Sequence, residues 1–475
     1  MGKGENFMPK ISVIVPIYNS VRFIRECVDS IVGQTCKDME ILLVDAGSTD
    51  GTVEILQEYC KEDPRIKLLH SEKKSMGYQY NLGISQATGK YVGFVESDDY
   101  IAPTMYEKLL AAMENNEIDY VKADYDLFVS RDEQVFLRHN LLPIAMENMY
   151  QKRVTPKEFP ELLLSDIYMW NGLYNIDFIR RNKILLNETP KAEYQDIGFV
   201  LQTFCMADNI MYIRDESYKY RKDNFGASNY DSKAIEYGAQ ELEYIQTKLR
   251  AEHFNDKSLV GWLCWKFWGL FYSYYERAAL SSTDFQEIRA YSERFCKAFL
   301  SLYRKIPYTY ANLFNFEAAF QPFLSGAVLE KGYLKLIIGQ RQRMLNLWEY
   351  AKSYKKIVIF GAGKMGRCWC GILRNNGFPG NIVFCDNSRA KWGTVLMGRE
   401  VVPPDEAIGS GAGTLYLIAN EAHWKDIHRQ LLDGNVEEND ICRILPVSAL
   451  NAFEIYFQDV CQEDSASNGE RKEKE

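Results

Sequence analysis

Four short apolar runs punctuate the first hundred residues. They are Ile11-Ser12-Val13-Ile14-Val15-Pro16, Glu40-Ile41-Leu42-Leu43-Val44, Ile66-Lys67-Leu68-Leu69 and Tyr91-Val92-Gly93-Phe94-Val95. Runs of this length bounded by turn residues read as buried strands rather than core helices. The first three are each followed by a segment with helical spacing. After Pro16, the positions Ile24, Cys27, Val28, Ile31 and Val32 share one helical face, with Ser20 as the predicted N-cap. Further helices are predicted over 53–60 and within 77–87. Strand–helix alternation of this kind predicts an α/β fold: an open parallel sheet with helices on both faces. In such a sheet, ligands bind at the carboxyl ends of the strands.

Three polar groups fall at those ends: Pro16-Ile17-Tyr18-Asn19, Asp45, and Glu96-Ser97-Asp98-Asp99. The last places three carboxylates in four residues, which repel one another unless a cation neutralises them. All are oxygen donors and neither His nor Cys is near. That suits Mg²⁺ or Mn²⁺ and argues against zinc. Such an ion takes one or two carboxylates plus substrate phosphates. An isolated acidic cluster would read as a surface turn, and the convergence of all three groups on one sheet edge reverses that reading.

The chain resembles the family 2 glycosyltransferases of the GT-A (nucleotide-diphospho-sugar transferase) fold. The resemblance is carried by Val15-Pro16-Ile17-Tyr18-Asn19, Val44-Asp45-Ala46-Gly47-Ser48-Thr49-Asp50-Gly51-Thr52, Asn81-Leu82-Gly83-Ile84, Ala87-Thr88-Gly89 and Glu96-Ser97-Asp98-Asp99, and it covers residues 10–230. It implies that Asp45 binds the nucleotide base, usually uracil, of a nucleotide-sugar donor. Pro16, Tyr18 and Asn19 would wall the nucleotide pocket. Asp98 would be the metal ligand, with Glu96 near the ribose or a metal-bound water. Two departures stand out: Ala46 replaces an acid found in many relatives, and Glu96 is one methylene longer than the usual Asp.

An inverting transferase needs a further carboxylate as general base for the acceptor hydroxyl. The segment Ala192-Glu193-Tyr194-Gln195-Asp196 resembles a bacterial subgroup of the family in which the base aligns with Asp196. Glu193 is the competing candidate, and a carboxylate at a helix start can also serve only the helix dipole. Trp170-Asn171-Gly172-Leu173-Tyr174 reads equally as an acceptor-side wall or as ordinary core aromatics. Tyr220-Arg221-Lys222-Asp223-Asn224, followed by Ser228, resembles the family's late loop over the diphosphate, where Arg221 or Lys222 would bind pyrophosphate.

Residues 231–350 read as a helical, aromatic-rich region. Its run over 259–275 is interrupted by Lys266 and too polar for a confident membrane span. A bundle packed on the transferase domain is the favoured reading, and an interfacial helix in peripheral membrane contact is the other. Residues 351–450 begin with a strand feeding Gly361-Ala362-Gly363-Lys364-Met365-Gly366. A helix ends at Gly377, and a second strand ends at Asp386, twenty residues past Gly366. That is a dinucleotide-type fingerprint in a Rossmann-like domain, with Gly361, Gly363, Gly366 and Asp386 as its binding residues. Asp386-Asn387-Ser388 and Gly398-Arg399-Glu400-Val401-Val402-Pro403 resemble modules of bacterial polysaccharide enzymes. A bound nucleotide and a degenerate packing or homo-oligomerising module both remain open. The span is too small for a complete oxidoreductase, so an NAD-dependent redox enzyme is disfavoured. Residues 463–475 read as a disordered tail.

With 475 residues, two or three domains are expected. A net charge of −9 argues against nucleic acid as a partner. Eleven cysteines without metal spacing, and no apolar leader, read as reduced thiols in a cytoplasmic protein, free or peripheral at the inner face of the membrane. The expected activity is metal-dependent, inverting sugar transfer to a glycan or lipid-linked acceptor. The resemblance places it in bacterial cell-surface polysaccharide or teichoic-acid-type glycan synthesis. Ala46 and Glu96 keep open the alternative of a nucleotide-sugar-binding pseudoenzyme or scaffold assembled through the Rossmann-like module.

Overall fold

Every residue of strand β1 (Ile11–Ile17) and of β2 (Met39–Asp45) is buried, as expected for parallel strands covered on both faces. Between them runs α1 (Ile24–Val32), which buries Ile24, Cys27, Val28 and Ile31. Ser20 does not cap it: α1 has no side-chain cap, and the Ser20 hydroxyl lies 2.7 Å from Ser97 Oγ. The alternation continues through α2 (Thr52–Glu62), β3 (Ile66–His70), α3 (Met76–Gln86) and β4 (Tyr91–Phe94). Then follow β5 (Tyr100–Ile101), α4 (Met105–Asn116), β6 (Tyr120–Arg131), β7 (Gln134–Asn140), β8 (Arg153–Val154), β9 (Gly172–Asn175), α5 (Ile176–Arg181), α6 (Gln195–Met206) and β10 (Ile210–Arg221). The computed structural model describes residues 9–131, 134–140, 149–159, 162–163, 168–191, 194–222, 224, 233–249, 256–281, 285–305, 323–332, 350–375, 378, 380–408, 413–420 and 423–443. Glu193, Asp223, Ser228, Gly377 and the tail 463–475 lie outside them.

The strand order is β3-β2-β1-β4-β9-β6-β10-β5, with β7 and β8 paired beside β6 and β10. Only β3-β2-β1-β4 is the parallel sheet that the sequence predicts; β9 runs antiparallel to both β4 and β6, so the whole sheet is mixed. β6 and β10 pair parallel, and the two residues between β6 and β7 join those strands as an antiparallel hairpin, because a gap that short allows no crossover.

The chain divides into two compact units, Met1–Tyr333 and Leu334–Glu475. The first also contains α7 (Ala234–Lys248), α8 (Lys257–Ser281) and α9 (Phe285–Tyr303). In α8, Leu259, Val260, Leu263, Cys264, Phe267, Phe271 and Tyr274 are buried, and Phe271 packs on Phe295 of α9 at 4.9 Å between ring centroids. Lys266, the charge that breaks this apolar run, is buried and donates to the Leu163 carbonyl at 2.7 Å. Among the described residues no helix is long and apolar enough to cross a membrane.

The second unit holds β11 (Lys356–Phe360), α10 (Lys364–Asn375), β12 (Asn381–Cys385), β13 (Val395–Leu396), β14 (Arg399–Val402), α11 (Pro404–Ile408), β15 (Thr414–Ile418), α12 (Trp424–Asp433) and β16 (Ile441–Arg443). Its sheet order is β13-β14-β12-β11-β15-β16, parallel except for the β13–β14 pair.

Candidate active site

The carboxyl ends of β1 and β2 are laced together by short polar side chains. Asn19, at φ +50°, donates its N–H to Ser48 Oγ at 2.8 Å and accepts from the Thr49 N–H at 2.8 Å. Asp50 accepts from the N–H groups of Val21 and Thr52, both at 3.1 Å. Asp45 is buried, and its carboxylate receives the Gly47 N–H at 2.8 Å and the Ser48 hydroxyl at 2.5 Å. Pro16 sits beyond the last β1–β4 pair, Ile14 with Phe94. Tyr18 is 45% exposed, and the Lys74 ammonium lies 2.8 Å from its hydroxyl and 4.5 Å from its ring centre. From α3, the buried Gln79 carboxamide donates to the carbonyls of Ile17 (2.9 Å) and Val44 (2.6 Å), pinning both strand ends.

At the end of β4 the chain turns through an Asp99 N–H to Glu96 carbonyl bond of 3.1 Å. This gathers carboxylate oxygens of Glu96, Asp98 and Asp99 within 4.8 Å of one another. The three are not equivalent. Asp99 is buried and accepts from the Tyr218 hydroxyl and the Arg221 N–H, both at 2.7 Å. Tyr218 in turn accepts the Glu96 N–H at 3.1 Å. Asp98 accepts from the Asn224 amide at 2.7 Å. Burial first, then the neighbouring carboxylates, hold Glu96 and Asp99 well above the usual carboxylate range. An all-oxygen cluster with this much mutual repulsion fits a hard divalent cation, and Asp99, held by Tyr218 and the Arg221 amide, braces the turn that carries Glu96 and Asp98.

Arg221 is placed beside this cluster, but its guanidinium is engaged. It donates to the Asp98 carbonyl at 2.7 Å, pairs with Glu26, and lies between the rings of Phe23 (4.7 Å) and Phe128 (4.4 Å). The adjacent Lys222 ammonium sits 4.4 Å over the Tyr220 ring, and its charge acts on Glu96. Trp170 is fully buried, stacked between Tyr168 (4.6 Å) and Tyr218 (4.0 Å). Of its two sequence readings, the core reading describes this position. The stack fixes the ring whose hydroxyl braces Asp99.

Asp196 opens α6 from Tyr194, which adopts φ +64°. Its Oδ1 accepts the Ile197 N–H at 2.9 Å. Burial lifts its pKa to about 6, against the pull of the helix amides, Lys122 and Lys266. The neighbouring Gln195 side chain donates to Thr189 Oγ1 at 2.8 Å and so ties the approach loop to the helix. Ring contacts Tyr80–Phe94 (5.2 Å) and Phe94–Phe199 (5.4 Å) connect α3, the end of β4 and the first turns of α6. Gln79, Tyr80 and Tyr218 were not legible as site residues. A glutamine and a tyrosine within a helical segment, or a tyrosine late in a polar strand, give no local signal.

In the second unit, Gly361 adopts φ +127°, and a Cβ at Gly366 would fall 2.0 Å from the Gly361 carbonyl oxygen. A Cβ at Gly363 would meet nothing within 4 Å. Asp386 closes onto this turn: it accepts from the Ala362 N–H at 2.8 Å and from Lys391 at 2.7 Å. These bonds outweigh its burial and hold it below the usual carboxylate range.

A sequence model of Glycosyl transferase family 2 matches residues 12–178. The chain is 32% identical over 262 residues to the uncharacterized glycosyltransferase EpsJ of Bacillus subtilis, covering 54% of this chain and 72% of that protein. It is 30% identical over 216 residues to the glycosyltransferase GlyG of Streptococcus pneumoniae, covering 45% of this chain and 70% of that protein. Among solved structures it is similar to TarS of S. aureus, at 21% identity and a TM-score of 0.46, over 64% of this chain and 50% of the other.

Proposed function

The chain belongs to glycosyl transferase family 2, and from that premise we propose that it is a metal-dependent, inverting transferase. It moves a sugar from a nucleoside-diphosphate donor, a UDP-sugar, to a glycan or lipid-linked acceptor. The observation that carries this reading is the Glu96–Asp98–Asp99 cluster at the end of β4, with the Asp196 carboxylate of α6 near enough for its charge to act on Glu96.

The chemistry follows from the positions. Asp45 and the wall formed by Pro16, Tyr18 and Asn19 hold the nucleoside. Asp98 would hold Mn²⁺ or Mg²⁺, with Glu96 beside it at the ribose or a metal-bound water, and the ion when bound would supply positive charge for the departing diphosphate. Arg221, which also braces the Asp98 carbonyl, or Lys222 would meet a phosphate. Asp196 Oδ2 takes the acceptor hydroxyl proton as that oxygen bonds to the anomeric carbon and the bond to the diphosphate breaks. Family membership supports surface polysaccharide synthesis at the cytoplasmic side of the membrane. The transferase domain then spans 10–230 and the helical region 231–350, with a Rossmann-like module over 351–450.

A thermal-shift panel of UDP, GDP and CDP, each with and without Mn²⁺, tests the reading. A ligand at a hundred times its Kd stabilises the native state by about 2.7 kcal/mol. A Mn²⁺-dependent UDP shift that Asp98→Ala abolishes is the expected result. No shift from any nucleotide would favour a scaffold instead.

A further inference from the structure

Tyr80 is fully buried, and among the described residues its hydroxyl has no hydrogen-bond partner. Leaving such a group unpaired carries its full desolvation cost, so its position calls for a reason. The ring is fixed edge-on to Phe94 at 5.2 Å, two residues before Glu96, and Phe94 packs on Phe199, three residues past Asp196. The phenol therefore stands between the acidic cluster and the candidate base, in the field of Glu96, Asp196, Asp99 and Asp98, strongest first. It is a donor among acceptors. A ligand group seated there must accept from the phenol and donate to a carboxylate. A sugar hydroxyl does both, whereas a phosphate oxygen only accepts and shares the carboxylates' charge.

Resting on the transferase reading above, we propose that the Tyr80 hydroxyl contacts a hydroxyl of the donor's sugar ring. It is then a specificity-determining residue between Asp196 and the Glu96–Asp98–Asp99 cluster. Sites built to hydrogen-bond a substrate hydroxyl discriminate strongly, because the buried partner is otherwise orphaned.

Tyr80→Phe keeps the ring and removes only the orphaned group. The melting temperature of the free variant is expected to rise by about 1–3 °C. With Mn²⁺ and UDP-glucose, UDP-galactose or UDP-N-acetylglucosamine, kcat/KM for UDP release from the accepted donor is expected to fall about tenfold to a hundredfold, while Kd for UDP with Mn²⁺ stays at the wild-type value. A lower melting temperature would assign the hydroxyl a structural partner and overturn the inference. So would an equal loss of UDP affinity, which would place the phenol on the nucleotide, or an unchanged kcat/KM. Wild-type protein that neither binds UDP nor turns over any of the three donors would overturn the donor reading, and this inference with it.

Discussion

Asp196 has one oxygen held by its own helix, and its chemistry depends on which form the fold prefers. Its pKa rises from 3.8 to about 6, and the leading cause is burial rather than a neighbouring acid. A base must be ionised, so kcat/KM is expected to climb with pH through about 6 and then level, as initial rates across pH 5–8 would show. Asp196→Asn should lower transfer by about 10²–10⁴-fold. Stability runs the other way. The folded pKa lies above the unfolded one, so the neutral form's advantage is complete below pH 3.8 and is lost as pH rises to about 6. That difference amounts to about 3 kcal/mol. The asparagine variant should thus melt higher than wild type at pH 8 and show no such gain at pH 3.5. The acidic cluster makes a contrasting case within four residues. Asp99→Ala orphans the buried Tyr218 hydroxyl and the Arg221 amide and should lower the melting temperature by several degrees, whereas Asp98→Ala relieves repulsion and should remove metal-dependent nucleotide binding without that loss.

At the scale of elements, Gly198 shows how one helix is held against another. A methyl group there would lie 1.7 Å from Glu241 Oε1, and Glu241 is buried on α7 with Oε2 bonded to Asn187 at 3.1 Å. Gly→Ala in an open helix usually stabilises. Here overpacking wins, and Gly198→Ala should destabilise by about 1–3 kcal/mol in denaturant titration. Since Asp196 sits two residues earlier on the same turn, kcat should drop more than donor KM rises. What was legible in the sequence divides along similar lines. β1 to β4 could be read because parallel strands covered on both faces are continuous apolar runs. β6 and β10 could not, because buried Lys122, Asp124, Asp126, Asp215 and Ser217 interrupt any apolar pattern. Their polarity makes sense only across the sheet, where Lys219 of β10 pairs with Asp126 of β6 and Tyr150 donates to Asp124 at 2.5 Å. The acidic motif stands out in local residue order, and Asp196 is singled out only by the resemblance of its segment. Tyr218, which braces Asp99, and Tyr80, which packs on Phe94, were not legible, since each meets residues distant in sequence.

For the whole molecule, the open question is what the second compact unit contributes. Its glycine turn has two different kinds of glycine. Gly366 is required by the fold, because any side chain would strike the Gly361 carbonyl, whereas Gly363 borders open space. That contrast separates structure from binding. Gly366→Ala should loosen the unit itself, seen as faster hydrogen exchange through 356–443 with β1 and β2 still protected. Gly363→Asp should leave exchange unchanged, because its side chain has room, while placing a negative charge where a dinucleotide's phosphates approach the helix start. Asp386 sharpens the test. Its carboxylate already serves Ala362 and Lys391, so a ribose that claims it must displace one of them. If NAD, NADH or UDP raises the melting temperature of wild type and of Asp98→Ala, but not of Gly363→Asp, this unit binds a nucleotide separately from the donor site. If none does, while Gly366→Ala still lowers stability, the same turn serves only to close α10 onto β11, and the module acts by packing or assembly.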